Sequence, residues 1–336
     1  MERPKSFLVI QTAFIGDVIL ATALVEKIHQ FYPDATIDFL LRKGNESLLA
    51  NHPFIREVIV FDKKNKYRNL FLLIRRIREA KYEVLLNIQR FLTTGIIALF
   101  SGAKTKIGFD KNPFARFFTR KIKHIIGTGT TSLHETERNQ RLIDHFTDGV
   151  AARPRLYPTD ADRQKISSLT AEPYICIAPA SVWFTKQLPG EQWTQLISQL
   201  PASFHIYLLG GPGDRKLCDQ IIRSGNRYHV TNLCGLLDYL ASAALQQGAV
   251  MNYVNDSAPL HFASAVNAPV TAVYCSTLPA FGFGPLSENS HIVETKQQLA
   301  CRPCGLHGKI ACPQKHFNCA TTITTEQLVS VLPATN

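Results

Sequence analysis

Short apolar runs alternate along the chain with longer stretches whose apolar residues recur every three or four positions. Phe7-Leu-Val-Ile10 is a run of the kind that fills a strand buried on both faces. A polar loop, Thr12-Ala-Phe-Ile-Gly-Asp17, follows it, and apolar residues at helical spacing then occupy 18–31. The same signals predict strands at 37–41, 58–61, 84–88 and 106–109, and helices at 70–80 and 93–101. An extended stretch punctuated by proline, Arg153-Pro-Arg-Leu-Tyr-Pro158, and a polar helical stretch at 159–169 interrupt the series. The pattern then restarts, with strands at 174–178, 205–209, 249–254 and 270–274 and helices at 191–200, 214–224, 236–247, 260–266 and 324–332. Strands alternating with helices imply a parallel sheet covered on both faces. Two such series predict an α/β chain of two Rossmann-like domains, 1–160 and 161–336, facing each other across a cleft. Ligands of open parallel sheets bind at the carboxyl ends of the strands, so the chemistry is expected in the loops there.

The 336 residues suit two domains. With 45% hydrophobic and 19% charged residues, the chain is neither disordered nor a small disulfide scaffold. Its longest apolar runs, such as 70–74 and 95–100, fall well short of the roughly 18–20 residues of a membrane span. The run at 7–10 is too short for the core of an export signal. The expected location is therefore the cytoplasm, where the eight cysteines would be reduced thiols unless they hold a metal.

The formal charge of +11 is lopsided. Residues 1–160 hold 26 Lys/Arg against 16 Asp/Glu, whereas 161–336 hold 11 against 10. The first half is expected to face an anionic partner, with scattered solubilising charge as the plain alternative. Lys63, Lys64, Lys66 and Arg68 form one basic cluster, and Arg116, Arg120, Lys121 and Lys123 another. Only Tyr67, Phe117 and Phe118 are interleaved with them, which argues against nucleic acid as the partner.

Five loops carry candidate chemistry. Asp17 ends the first strand–helix loop, where a carboxylate either caps the helix or acts as a base. Asn255-Asp-Ser-Ala-Pro-Leu-His261 follows an apolar strand and opens a helix; free first-turn N–H groups and the helix dipole make such a junction an anion site. Asp256 and Ser257 have capping as their plainer role, and Pro259 suits the first helical turn. Ala178-Pro-Ala-Ser-Val-Trp-Phe-Thr-Lys186 follows another strand; Ser181 lies in it, and Lys186 either meets a diphosphate or is a solvated lysine. In Gly210-Gly-Pro-Gly-Asp214 the glycines read as a tight turn, with Asp214 an acceptor for a ribose. Finally Cys301, Cys304, Cys312 and Cys319 fall within 19 residues, a spacing that allows zinc as an alternative to plain reduced thiols.

Taken in order along the chain, these pieces resemble the heptosyltransferases of glycosyltransferase family 9. The resemblance rests on Ile10-Gln-Thr-Ala-Phe-Ile-Gly-Asp-Val18, Asn87-Ile-Gln89, His134-Glu-Thr-Glu-Arg138, Lys186-Gln-Leu-Pro-Gly-Glu-Gln-Trp193 and the 255–261 segment. The tail Cys301-Arg-Pro-Cys304, with Cys312 and Cys319, looks like that of heptosyltransferase II members. The resemblance implies a GT-B fold and inverting, metal-independent transfer of heptose from ADP-heptose or a related nucleotide sugar, with no cofactor. The implied acceptor is an anionic inner-core sugar of the Kdo–lipid A type, met by Lys63, Lys64, Arg120 and Lys123, with peripheral contact at the inner face of the membrane. Asp17 matches the family's base and Lys186 its diphosphate lysine. Asp256, Ser257 and Ala258 match its phosphate loop, with His261 closing that motif. Leu237 falls where adenine packs, and Asp214 near the ribose. Two motifs depart from the family pattern: Ala258 replaces the usual glycine, and Lys186-Gln-Leu-Pro189 replaces Lys-Arg/His-Trp-Pro. The rival readings are another nucleotide-sugar transferase, a sugar-nucleotide epimerase of the same fold, and a non-enzymatic binder of anionic ligands.

Overall fold

The structure, a computed structural model, describes residues 4–127 and 132–332. The chain divides into two compact units, Met1–Tyr157 and Pro158–Asn336.

In the first unit the chain runs β1 (Ser6–Ile10), α1 (Ile15–Phe31), β2 (Thr36–Arg42), β3 (Glu57–Phe61), α2 (Lys66–Glu79), β4 (Val84–Asn87), α3 (Leu92–Phe100), β5 (Thr105–Phe109), β6 (Arg120–Ile122) and α4 (Glu135–Gln140). Its strands pair in parallel in the order β3-β2-β1-β4-β5-β6. Central β1 buries Phe7, Leu8, Val9 and Ile10 completely, as a strand covered on both faces must.

The second unit runs α5 (Asp160–Lys165), β7 (Tyr174–Ala178), α6 (Gly190–Gln199), β8 (His205–Leu208), α7 (Arg215–Ser224), β9 (Val230–Asn232), α8 (Tyr239–Gly248), β10 (Met251–Asn255), α9 (Ala258–Ala265), β11 (Val270–Tyr274), β12 (Ser290–Glu294), α10 (Asn318–Thr321) and α11 (Thr325–Val329). Its sheet order is β12-β11-β10-β7-β8-β9, all parallel. Counted from its own first strand, this repeats the order of the first unit, and 3-2-1-4-5-6 is the Rossmann order. Trp193 on α6 packs fully buried among Ile175, Ile177, Met251 and Tyr253.

Several expected elements shift. The polar helix at 159–169 is α5 followed by a separate 3-10 turn, Ser167–Leu169. The helix expected from 236 begins at Tyr239, because Asp238 caps it by accepting from the Ala241 N–H at 2.9 Å. Leu237 therefore lies in a loop. Among the described residues, no helix is long and apolar enough to cross a membrane.

Candidate active site

In a 3-2-1-4-5-6 sheet the connection order reverses between strands 1 and 4, and ligands bind outside their carboxyl ends. That point lies between β1 and β4 in the first unit and between β7 and β10 in the second.

Asp17 stands at this point in the first unit, as the third residue of α1 rather than in the loop before it. Its Oδ2 accepts from the Phe14 N–H at 3.2 Å, so the carboxylate does cap the helix. The residue as a whole is half-buried. Burial pushes its pKa above the ordinary 3.8, opposed by the Phe14 and Asp17 amides and then by Arg42 and Arg90. Arg42 ends β2 and lies 5.0 Å from the Phe14 ring; Arg90 follows β4. Glu135 on α4 is buried against Arg138 at 2.6 Å, and the charge of Asp17 adds to the burial that raises its pKa. The loops here are tied by side-chain amides. Gln89 donates to Gln11, whose Oε1 also accepts from the Ala13 N–H, and Asn112 donates to the Gln89 and Phe91 carbonyls at 3.0 and 3.1 Å. A methyl at Gly95 would come 2.3 Å from Asn112 Oδ1, so only glycine lets α3 pack so closely. Phe14, Phe91 and Leu92 expose apolar surface on the same edge.

The basic clusters of this unit do not meet. Lys63 and Lys64 follow β3 at one edge of the sheet. Arg120 and Lys123 belong to β6 and the residues after it, five strand spacings away, or about 24 Å. Arg116, Lys121 and Lys123 line an open concavity of about 470 Å³ with Asp110 and Asn112, and Arg120 is exposed beside them.

In the second unit the structure brings two predicted residues into contact. Lys186 closes a 3-10 turn, Phe184–Lys186, in the β7–α6 loop, and its Nζ lies 2.7 Å from Asp256 Oδ2 in the β10–α9 loop. The Thr277 hydroxyl donates to the same oxygen at 2.6 Å. Asp256 is therefore not the helix cap. Ser257 holds the cap position, but its hydroxyl contacts the Asn255 carbonyl at 3.4 Å instead of capping. In the first turn of α9, Pro259 has no N–H and the Leu260 N–H donates to the Ser257 carbonyl at 3.1 Å, so the Ala258 N–H is the first-turn amide with no acceptor within the helix. Asn255 locks the two loops together: its Nδ2 donates to the Pro179 carbonyl and its Oδ1 accepts from Leu188. The remaining candidates are spread over neighbouring loops. The Ser181 carbonyl accepts from Gln187 at 2.5 Å. Asp214 accepts from the Gly211 N–H at 2.8 Å, closing the glycine turn after β8. Half-buried Leu237 follows β9, and His261 is buried within α9.

A segment far along the chain braces the lysine. The Arg302 guanidinium donates to the carbonyls of Tyr274, Cys275 and Thr277 and to Glu294. The Thr185 hydroxyl accepts from the Lys309 N–H at 2.8 Å and from Ser276 at 3.0 Å, and the Thr185 N–H donates back to the Lys309 carbonyl. Gly308, at φ +76°, leaves room for Lys186; a methyl there would lie 2.9 Å from Lys186 Cγ. The four cysteines of the zinc alternative lie near one another: burial and then the charges of Cys304, Cys312 and Cys301 raise the Cys319 thiol pKa. Among the described residues, no three His, Cys, Asp or Glu are placed to hold a metal, and Cys301, Cys304, Cys312 and Cys319 are free thiols. Cys319 belongs to the apolar core of this unit and Cys312 packs against it.

Residues 70–311 match the family model for glycosyltransferase family 9 (heptosyltransferase). The chain belongs to that family. Lipopolysaccharide heptosyltransferase 3 of Escherichia coli (strain K12) is 26% identical over 292 residues, 82% of this chain and 83% of that protein. The fold matches a family 9 glycosyl transferase from Veillonella parvula DSM 2008 with a TM-score of 0.80 at 20% identity, covering 97% of this chain and 95% of the other. It also matches the E. coli ADP-heptose lps heptosyltransferase II with a TM-score of 0.76 at 20% identity, over 97% and 98%. This family 9 glycosyltransferase thus has the expected GT-B architecture of two Rossmann-like units.

Arg42, Arg90, Thr185, Arg302 and Gly308 were not among the sequence candidates. Arg42 and Arg90 had a usable signal, since each lies at or just beyond the carboxyl end of an inner strand. The bracing of Lys186 had none, because it joins segments distant in sequence.

Proposed function

We propose that this enzyme transfers a heptose from ADP-heptose to an anionic inner-core sugar of lipopolysaccharide, with inversion at the anomeric carbon. The observation that carries the reading is the Lys186–Asp256 pair beside the opening of α9, at the switch point of the second sheet. A leaving diphosphate needs fixed positive groups where its charge develops. Lys186, the Ala258 N–H and the positive end of the α9 dipole supply them, with Asp256 and Thr277 holding the lysine in place. In this role they serve where other transferases use a metal ion. ADP-heptose as donor is supported by the name of the E. coli structural relative.

The acceptor oxygen attacks the anomeric carbon as the bond to the diphosphate oxygen breaks, and Asp17 takes the hydroxyl proton. One displacement from the opposite face inverts the configuration. Asp214 and Leu237 would meet the ribose and adenine, with Ser181, Ser257, Ala258 and His261 shaping the phosphate pocket. The first unit receives the acceptor, its carboxylates and phosphates drawn to Arg116, Arg120, Lys121 and Lys123. A lipid-borne acceptor puts the enzyme to work at the inner face of the cytoplasmic membrane.

A thermal-shift series with ADP, UDP, GDP, CDP and ADP-heptose tests the donor. ADP and ADP-heptose are expected to raise the melting temperature most; a larger shift with UDP or GDP would overturn the adenine assignment.

A further inference from the structure

We propose that α2 and the lysine turn before it form a docking surface for an anionic lipid bilayer. This inference deepens the functional reading, which supplies the lipid-borne acceptor; the surface itself is argued from the helix. Residues 63–78 contain seven Lys/Arg and no Asp/Glu. Helix α2 buries Leu70, Leu73 and Ile77 against the sheet. On its other side Tyr67 is 84% exposed, Phe71 68% and Leu72 50%. Tyr67 and Phe71 are one turn apart and therefore adjacent, and Arg68 and Arg75 share their face. Isolated apolar residues are normal on a soluble surface, but an aromatic pair with a leucine among arginines is how interfacial helices are built.

The charge at the amino end does not serve the helix. Lys66 and Arg68 occupy its first turn, where no acidic residue stands and the dipole is already positive, an arrangement that weakens the helix. Arg75 and Arg76 are paired with Glu79 and Glu57. Arg78 stands in the last turn, where the dipole favours a cation, and the other four cations, Lys63, Lys64, Lys66 and Arg68, gather at the amino end. Aromatic side chains beside long cationic ones match phospholipid headgroups over acyl chains. This end of α2 follows the carboxyl end of β3, so it opens on the same edge of the sheet as Asp17.

The test is co-sedimentation of the full chain with phosphatidylcholine vesicles, with and without phosphatidylglycerol. The wild-type chain is expected to bind the anionic vesicles and to release them as salt is raised. Tyr67→Ser/Phe71→Ser/Leu72→Ser and, separately, Lys66→Glu/Arg68→Glu should each weaken binding about tenfold or more. The first variant should keep its melting temperature and its rate on a delipidated, water-soluble acceptor. Equal binding to both vesicle types, or unchanged binding by both variants, overturns the proposal. Vesicle binding as described, without transfer to the soluble acceptor, would uphold the surface and sink the functional reading instead.

Discussion

Asp17 caps α1 and is proposed as the base, and its surroundings pull its pKa in opposite directions. Burial raises it, while the Phe14 and Asp17 amides, Arg42 and Arg90 lower it. Burial wins, which suits a base that must hold a proton for part of the reaction. Transfer should therefore fall as pH drops through a midpoint above 3.8, where Asp17 gains its proton. Arg42→Gln removes a charge that favours the carboxylate, so the acid limb of the kcat/KM profile should move to higher pH; a downward move contradicts the assignment. Lys186 and Asp256 make the second residue-scale case. Lys186→Ala leaves Asp256, 5% exposed, with Thr277 as its hydrogen-bond donor, and breaking so buried a pair should cost about 3 kcal/mol in a urea melt. Adding Asp256→Asn should restore most of that stability but not the affinity for ADP in calorimetry. Recovery of both would make the lysine purely structural.

At the scale of elements, the brace formed by the Cys301–Lys309 segment sets how firmly Lys186 is held. Thr185 is 1% exposed, and its hydroxyl joins Ser276 and the Lys309 amide. Thr185→Val removes that acceptor at nearly constant volume and should weaken ADP binding about tenfold, while Thr185→Ser should stay near wild type. Equal affinity in all three would detach the brace from the donor site. The elements also show where the sequence was legible. Inner strands such as β1, β7 and β11 read directly, because burial on both faces demands continuous apolar runs. The edge strands β6, β9 and β12 did not, since Arg120-Lys-Ile122, Val230-Thr-Asn232 and Ser290-His-Ile-Val-Glu294 mix polar and apolar positions. Six-residue α4 is too short to show a period. The Lys186 and Asp256 loops could each be named from sequence, but their contact depends on β7 and β10 being neighbours, which is a property of strand order.

At the scale of the whole molecule, two sheets of the same strand order carry very different charge. The restart of the strand–helix pattern revealed the two units. The charge count revealed which one is basic, but not that its two clusters lie at opposite edges of one sheet. The proposed function puts the acceptor on the exposed β6 cluster and the diphosphate on Lys186, so salt should act unevenly on the two substrates. The acceptor KM should rise with ionic strength more steeply than the ADP dissociation constant, because the exposed Arg120 and Lys123 are screened more than the largely buried Lys186. A parallel rise in both would argue against an electrostatic acceptor site. The most direct test of the whole account is the rate of heptose transfer from ADP-heptose by Asp17→Asn, with ADP affinity confirmed in the same preparation. A kcat lower by about 10² or more with ADP binding unchanged is expected of a base; turnover within a few-fold of wild type would contradict that role.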